Sequence, residues 1–181
     1  ARELTRAFVD VEFDAFATVS ENPICNGESI DLTAYIFIGT TGNYSYQWSS
    51  NPAGLSSTSQ TTSHSPLEST IYTLEVFDGT NTSIHNLPVV VLNDPEVFSG
   101  DDITICENQN AQLSAQATNY SGIFWTTNGD GTFQNPESLS AIYYPGILDK
   151  ENEIAELSVS ASPINPCQQE TSSNLSIFFQ S

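Results

Sequence analysis

Basic residues are nearly missing from this chain, which has three Lys and Arg residues against 22 Asp and Glu residues and a formal net charge of −19. The three are Arg2, Arg6 and Lys150, so residues 7–149 contain none. Nucleic acids and anionic lipid surfaces are bound through basic side chains, so the charge excludes both as partners. It leaves divalent-cation binding or solubility in an extracellular setting, and we favour solubility.

Long apolar segments are missing as well. No apolar run approaches the roughly 20 residues of a membrane-spanning helix, so we expect no membrane insertion. No stretch of a dozen residues combines a helical period with capping residues, so we expect almost no helix. Ser, Thr and Asn are abundant, whereas Met is absent and Lys and Arg are scarce. This composition favours strands joined by polar turns.

Cysteine is scarce, and its spacing is informative. The three residues are Cys25, Cys106 and Cys167, with no Cys-x-x-Cys pair and with both His64 and His85 distant in sequence, so a zinc site is not expected. Cys106 and Cys167 lie in the same half of the chain and would close a loop of about 60 residues, a bridge that contributes about 4 kcal/mol. We predict a Cys106–Cys167 disulfide with Cys25 left over, in an oxidising compartment.

Catalytic signatures are missing too. There is no Gly-x-Ser-x-Gly segment and no Gly-rich phosphate-binding loop after a strand. Neither His64 nor His85 has a nearby Ser and Asp in a strand-turn-helix context, and we expect both to be solvated surface residues. Pairs of carboxylates abound, but none is marked by a flanking aromatic platform. We therefore predict that the chain is not an enzyme.

What the sequence does contain is an internal repeat. Residues 24–34 and 105–115 both read Ile-Cys, six residues, then Leu, a hydroxyl residue and Ala, and a single Trp follows each, Trp48 and Trp125. Turn-forming residues at 93–95 include a Pro that cannot continue a strand ladder. We place one module at residues 1–94 and the second at residues 95–181.

Each module has the pattern of an all-β sandwich, with short strands at spacings of 8–12 residues and one Trp for the core. Trp48 and Trp125 are predicted core residues, and Tyr72 is placed for a tyrosine corner whose hydroxyl bonds a backbone group. Strands are predicted at 9–17, 29–37, 44–48, 71–77 and 87–92, then at 111–117, 122–127, 139–144, 154–161 and 173–179.

The order of these motifs resembles PKD-like (polycystic-kidney-disease type) or Ig-like repeats. In the first module the resemblance lies in Ile-Cys-x-Gly-Glu-Ser from residue 24, Tyr-Ser-Tyr-Gln-Trp-Ser from residue 44 and Ile-Tyr-Thr-Leu-Glu-Val from residue 71. In the second it lies in Trp-Thr-Thr-Asn-Gly-Asp-Gly-Thr-Phe from residue 125 and Tyr-Pro-Gly-x-x-Asp from residue 144. The first module departs from the family pattern, since it lacks a Trp-Asp-Phe-Gly-Asp-Gly segment and a second Cys.

The resemblance implies two tandem immunoglobulin-like (PKD-like) β-sandwich domains without catalysis of their own. Such repeats occur in arrays in large surface proteins of Bacteroidota, including gliding-motility adhesins, and beside catalytic domains of secreted enzymes. We therefore expect flanking domains in a larger parent chain that is exported or held at the bacterial cell surface.

Calcium is the one cofactor for which the sequence supplies ligands, because hard cations prefer several carboxylate and carbonyl oxygens held at turns. The same residues also suit ordinary Asp/Asn-Gly turns, which we favour at each place. The candidates are Asp101 and Asp102 after the module boundary, Asn128, Asp130 and Asp149 at one end of the second module, and Asp78 at a turn of the first.

A glycan platform is the second binding hypothesis, since exposed aromatic rings stack on the apolar faces of sugars. Tyr44, Tyr120 and Tyr143 are the candidates together with Phe16, with packing against a core as the alternative that we favour. We predict a non-catalytic extracellular spacer or adhesion module, with a surface glycan or protein as partner. The alternative is an ancillary carbohydrate-binding region of a secreted polysaccharide-degrading enzyme.

Overall fold

The computed structural model describes residues 13–38 and 42–180. The chain divides into two compact units, one ending at Val91 and the next beginning at Leu92. The boundary thus falls three residues before the position read from the turn-forming residues at 93–95. Residues 9–12 of the first predicted strand lie outside the described residues.

The described residues of the first unit form nine strands in three sheets, ordered β1-β3-β6, β2-β9 and β5-β4-β7-β8. Its strands are β1 Asp14–Val19, β2 Ile24–Cys25, β3 Ile30–Ile38, β4 Ser45–Asn51, β5 Ser56–Ser57, β6 Thr61–His64, β7 Thr70–Phe77, β8 Thr82–Val89 and β9 Val91–Leu92.

Strict alternation along the strands places one side chain in two in the core. In β7, from Thr70 to Phe77, every second residue is buried, and the residues between them are exposed or half-buried. Trp48 and Tyr72 are both 0% exposed and lie in the same cluster as Leu32 and Leu74. The core therefore joins residues from the sheet of β1 and β3 with residues from the sheet of β4 and β7.

The second unit contains nine strands and one short helix, with sheets ordered β10-β13, β12-β16-β15 and β11-β18-β17-β14. The elements are β10 Glu96–Phe98, β11 Ile103–Cys106, β12 Ala111–Gln112, β13 Gln116–Thr118, β14 Tyr120–Thr127, β15 Thr132–Gln134, β16 Ile142–Tyr144, α1 Ile147–Glu151, β17 Ile154–Pro163 and β18 Thr171–Gln180.

The four-stranded sheet of this unit is antiparallel apart from β11, which pairs with β18 in parallel. Its inner face and the smaller sheets enclose a core that includes Trp125, Tyr143, Leu157 and Ile177. Its outer face carries Ser, Thr and Asn side chains with occasional aromatic ones, because β17 and β18 alternate between apolar and polar residues.

The repeated Ile-Cys segment forms the same turn in both units. The backbone N–H of Cys25 donates to the Glu28 carboxylate at 2.8 Å, and that of Cys106 donates to the Gln109 side-chain carbonyl at 3.1 Å. The backbone N–H of the third residue after each cysteine donates back to the cysteine carbonyl. A Glu or Gln three residues after the cysteine is therefore part of the turn.

The two tryptophans are also equivalent in their contacts. The indole Nε1–H of Trp48 donates to the Ser59 carbonyl, and that of Trp125 donates to the Ser138 carbonyl, both at 3.0 Å. Each indole thereby satisfies its only polar group while the rings stay buried. The duplication read from sequence is a duplication of local structure.

The predicted pairing of Cys106 with Cys167 is wrong. Cys106 is a free, exposed thiol in β11, whereas Cys25 and Cys167 are the disulfide-bonded cysteines. Loop entropy depends only on where the cysteines lie along the chain. Which cysteine side chains come within bonding distance depends on the tertiary fold.

Candidate functional site

Asp130 lies in the loop between β14 and β15 and binds the start of α1. Its Oδ2 accepts hydrogen bonds from the backbone N–H groups of Ile147 at 3.0 Å and Leu148 at 3.2 Å, and its Oδ1 accepts one from Asp149 at 3.2 Å. These are N–H groups that a helix start leaves without partners. These hydrogen bonds, of which the one from Leu148 contributes most, lower the pKa of the Asp130 carboxyl.

Asp149 is the buried partner in the same arrangement, with only 2% of its surface exposed. Its Oδ2 accepts the Tyr143 hydroxyl at 2.6 Å and the backbone N–H of Gly146 at 2.9 Å. The hydroxyl of Tyr143 also lies 3.1 Å from Thr127 Oγ1. The pKa of Tyr143 is raised to about 12, mainly because the residue is buried and secondly because its hydroxyl donates a hydrogen bond to Asp149.

Three glycines make room for these carboxylates and for Tyr143. A Cβ atom on Gly129 would collide with the Asp149 carboxylate, and one on Gly146 would collide with the Asp130 carboxylate. A Cβ on Gly131 would meet the Tyr143 ring and would lie 2.6 Å from the Tyr144 carbonyl oxygen. The Asn-Gly-Asp-Gly and Pro-Gly-x-x-Asp motifs thus belong to one structural unit, which we call the Asp130–Asp149 loop pair.

Five of the six residues predicted to hold calcium form hydrogen bonds within the fold, and the sixth, Asp101, is exposed. Beyond the Asp130–Asp149 loop pair, Asp102 Oδ1 accepts the Ser176 N–H at 2.7 Å. Asp78 accepts hydrogen bonds from the backbone N–H groups of Asn81 and Thr80. These hydrogen bonds, with the one from Asn81 contributing most, lower the pKa of the Asp78 carboxyl. Among the residues that the structure describes, no three carboxylates bring their oxygens within 4.8 Å of one another. Calcium binding stays a prediction.

Asn128 lies between two surface clefts, where it pairs with Glu156. Its Nδ2 donates to Glu156 Oε2 at 2.9 Å, and the Glu156 backbone N–H donates to Asn128 Oδ1 at 3.3 Å. A cleft of about 410 Å³ lies on one side of this pair and runs over Ser158 and Asn174. A second cleft, of about 450 Å³, lies on the other side and reaches Asp130 and Asn152.

Of the predicted aromatic platforms, Tyr143 is wrong, because the residue is 0% exposed. Tyr44 is half-buried against the first core and stacks on Phe13, with ring centroids 5.7 Å apart. Tyr120 is half-buried against the second core. The alternative that we favoured, packing against a core, thus accounts for all three.

Three exposed aromatic side chains form a cluster on the outer face of β1 and β3. Phe16 stacks on its cross-strand neighbour Tyr35 at 5.3 Å between centroids, and Phe37 meets Phe16 edge-on at 6.4 Å. Their exposed fractions are 36%, 46% and 69%. Sequence reasoning singled out only Phe16. The period of two in Ala34-Tyr35-Ile36-Phe37 is the signal that could have added the other two.

His64 is not a freely solvated residue. It is half-buried, and its Nδ1 lies 2.7 Å from the Tyr72 hydroxyl. The Tyr72 hydroxyl therefore has a side-chain partner, where a tyrosine corner predicts a backbone one. Burial raises the pKa of Tyr72 to about 12. This contact is structural, since the ring and hydroxyl of Tyr72 lie in the core.

Comparison with known proteins rests on structure. No family model matches the sequence, and no curated protein sequence is similar to it. The N-terminal eight Ig domains of Down Syndrome Cell Adhesion Molecule superpose with a TM-score of 0.56 at 12% identity over 92% of this chain. Titin domains I67–I69 give 0.51 at 12% identity over 91%, and the full ectodomain of mouse nectin-like molecule 4 gives 0.51 at 11% over 91%.

The fold is immunoglobulin-like. It consists of two tandem all-β Ig-like sandwich domains, as the repeat and the strand pattern predict. The chain spans 25%, 66% and 64% of the length of the three matched structures, respectively. At these identities the likeness concerns the fold of the Ig-like domains alone.

Among the residues that the structure describes, no helix is long and apolar enough to cross a membrane. The helix present, α1, has five residues.

Proposed function

We propose that the chain is a non-catalytic spacer or adhesion segment of a larger protein that is secreted or displayed at the bacterial cell surface. One observation carries the proposal: the chain consists of two Ig-like sandwiches whose notable Asp, Tyr and His side chains bond within the fold. Side chains bonded in this way stabilise a module and are not themselves poised for acid, base or nucleophilic catalysis.

Export is supported by chemistry and by charge. Cys25 and Cys167 are disulfide-bonded, and disulfides persist in oxidising compartments outside the cytosol. The net charge of −19 suits a protein that must stay soluble at a surface. The resemblance of the motifs to surface-protein repeats of Bacteroidota supports a bacterial source.

The proposal is tested by locating the parent protein on cells of the source organism. An antibody raised against the 181-residue chain should label intact cells or detect the protein in the culture medium. Labelling of lysed cells serves as the positive control for the antibody. Signal that appears only after lysis would contradict export.

A second assay addresses catalysis directly. The purified chain should release no reducing ends from plant, algal and host polysaccharides and should cleave no chromogenic esters. Sustained turnover that survives repurification would overturn the non-catalytic role.

A second candidate function is the ancillary carbohydrate-binding region of a secreted polysaccharide-degrading enzyme. The exposed aromatic row of Phe16, Tyr35 and Phe37 favours it, because flat aromatic side chains at a surface suit the apolar faces of sugars. A catalytic domain in the parent protein supports this candidate, whereas a parent made of many similar repeats supports the spacer or adhesion role.

A further inference from the structure

The outer face of the four-stranded sheet in the second Ig-like domain is hollowed at its centre. Thr126, Ser158 and Asn174 lie side by side across strands β14, β17 and β18, and Glu156 and Ser176 form the next row. Ser158 and Ser176 are half-buried. Because these two central side chains are short, the surface between the rows sinks into the cleft of about 410 Å³.

The second cleft continues from the first across the Asn128–Glu156 pair, since both residues line both clefts. Its volume is about 450 Å³, and it brings two apolar side chains to the surface, Leu148 at 55% exposure and Ile154 at 37%. Each volume falls in the range of roughly 300–1,000 Å³ that is typical of ligand sites. We call the two clefts together the Asn128 groove.

The chemistry of the Asn128 groove restricts what it can hold. Asn152, Asn174, Ser158 and Thr126 offer both donors and acceptors, and Glu156 and Asp102 offer acceptors. No Lys, Arg or His lines either cleft, so an anionic ligand would meet carboxylates without a compensating cation. A purely cationic ligand would leave the amide and hydroxyl donors unused.

We propose that the Asn128 groove binds an uncharged oligosaccharide. Sugar hydroxyls both donate and accept hydrogen bonds, which matches the mixed lining, and the C–H faces of sugar rings match Leu148 and Ile154. Two clefts that meet at one hydrogen-bonded pair suit a chain of several sugar units better than a single ring. This inference rests on the adhesion role proposed above, and it names the class of ligand.

The test is isothermal titration calorimetry of the whole 181-residue chain with four neutral hexasaccharides: cellohexaose, xylohexaose, mannohexaose and laminarihexaose. Saturable binding of at least one is the expected result. Ser158→Tyr fills the floor of the groove and should weaken that binding by about tenfold or more. Ser172→Tyr is the matched control, since Ser172 is exposed on the same outer face but lines neither cleft, and it should bind like the original chain.

Asn174→Ala is the milder variant, to be used if Ser158→Tyr does not fold. It removes an exposed donor and acceptor from the groove, touches no core side chain, and should weaken binding by roughly threefold to tenfold. A matching thermal unfolding curve shows that the loss of binding is not a loss of fold.

The outcomes separate this inference from the proposed function. Absence of binding to all four hexasaccharides, or binding that Ser158→Tyr leaves unchanged, overturns the groove as a glycan site while the spacer role stands. Binding of an oligolysine peptide that Ser158→Tyr abolishes would overturn it in favour of a cationic partner. Shortening of a bound hexasaccharide during the titration would instead contradict the non-catalytic function and leave the site in place.

Discussion

Asp130 illustrates at the scale of one residue why a cation-binding pattern and a structural pattern look alike in sequence. An Asp in an Asn-Gly-Asp-Gly segment offers two carboxylate oxygens at a turn, which is what calcium requires. Here both oxygens accept backbone N–H groups at the start of α1. The helix start lies 17 residues or more further along the chain, so no local pattern relates it to Asp130.

We predict that Asp130→Asn destabilises the second domain, because a neutral amide is a weaker acceptor for the N–H groups at the start of α1. Thermal unfolding should show a lower midpoint at pH 7, and Asp101→Asn, which changes an exposed Asp, should leave it unchanged. The pKa of Asp130 is lower in the folded chain than in the unfolded chain. The stabilisation that its carboxylate provides is therefore complete above the ordinary Asp pKa of about 3.9, and it is lost as the pH falls through the lower folded-state pKa. Equal midpoints for both variants at pH 7 would contradict the prediction.

Tyr143 and Asp149 form a buried polar pair that sequence reasoning separated into a glycan platform and a calcium ligand. Both hypotheses required exposed side chains, although for Tyr143 packing against a core was the alternative that we favoured. In the fold, Tyr143 is on the buried face of β16 and its hydroxyl reaches the Asp149 carboxylate.

We predict that Tyr143→Phe lowers the free energy of unfolding by about 1–3 kcal/mol, because the buried Asp149 carboxylate loses a donor. The neighbouring Tyr144→Phe is the control, since the Tyr144 hydroxyl bonds Gln134 at the surface, and it should change stability by less than about 0.5 kcal/mol. Chemical denaturation measures both changes. A larger effect at Tyr144 would contradict the assignment.

Alkaline titration tests the burial of Tyr143 together with that of Tyr72. The pKa values of Tyr72 and Tyr143 are raised to about 12 in the fold, so absorbance near 295 nm should show a late step of about two tyrosines. In the unfolded chain the same two tyrosines ionise near pH 10. Their contribution to the free energy of unfolding should therefore be complete below about pH 10 and should be lost as the pH rises towards about 12. In Tyr143→Phe the late step should shrink to one tyrosine.

At the scale of elements, the loop between β14 and β15 depends on glycines for space. We predict that Gly131→Ala destabilises the second domain by more than about 2 kcal/mol, since its Cβ would meet the Tyr144 backbone and the buried Tyr143 ring. Gly122→Ala, where nothing lies within 4 Å of the added Cβ, should be nearly neutral. Chemical denaturation measures the free energy of unfolding of the two variants. A similar loss of stability at both positions would contradict the need for space at Gly131.

Strand prediction succeeded where one face of a strand is buried. The alternation in 71–77 and 154–161 gave β7 and β17 within a few residues, because a period of two marks a half-buried strand. It gave no strand in the Ser/Thr-rich segment 56–65, where β5 and β6 lie, since their half-buried residues are Ser57, Thr62 and His64, which leave no apolar signal.

At the scale of the whole molecule, charge is the dominant feature. With a net charge of −19, the folded chain repels itself, and salt screens that repulsion. We predict that raising NaCl from about 20 mM to about 200 mM increases the midpoint of thermal unfolding. A midpoint that falls with added NaCl would contradict this.

The amino-acid sequence by itself determined the fold class, the duplication and the core tryptophans, because apolar periodicity and turn residues act through neighbours along the chain. It also determined the net charge of −19, from which the exclusion of nucleic acids and anionic lipid surfaces as partners is a prediction.

Only the tertiary structure decided how the cysteines, the carboxylates and the aromatic side chains are used. Cys106 is free, Asp149 is buried against Tyr143, and Phe37 is exposed on an outer face. The physical reason is that each outcome depends on contacts between residues brought together by folding, at distances and burials that a linear pattern does not encode.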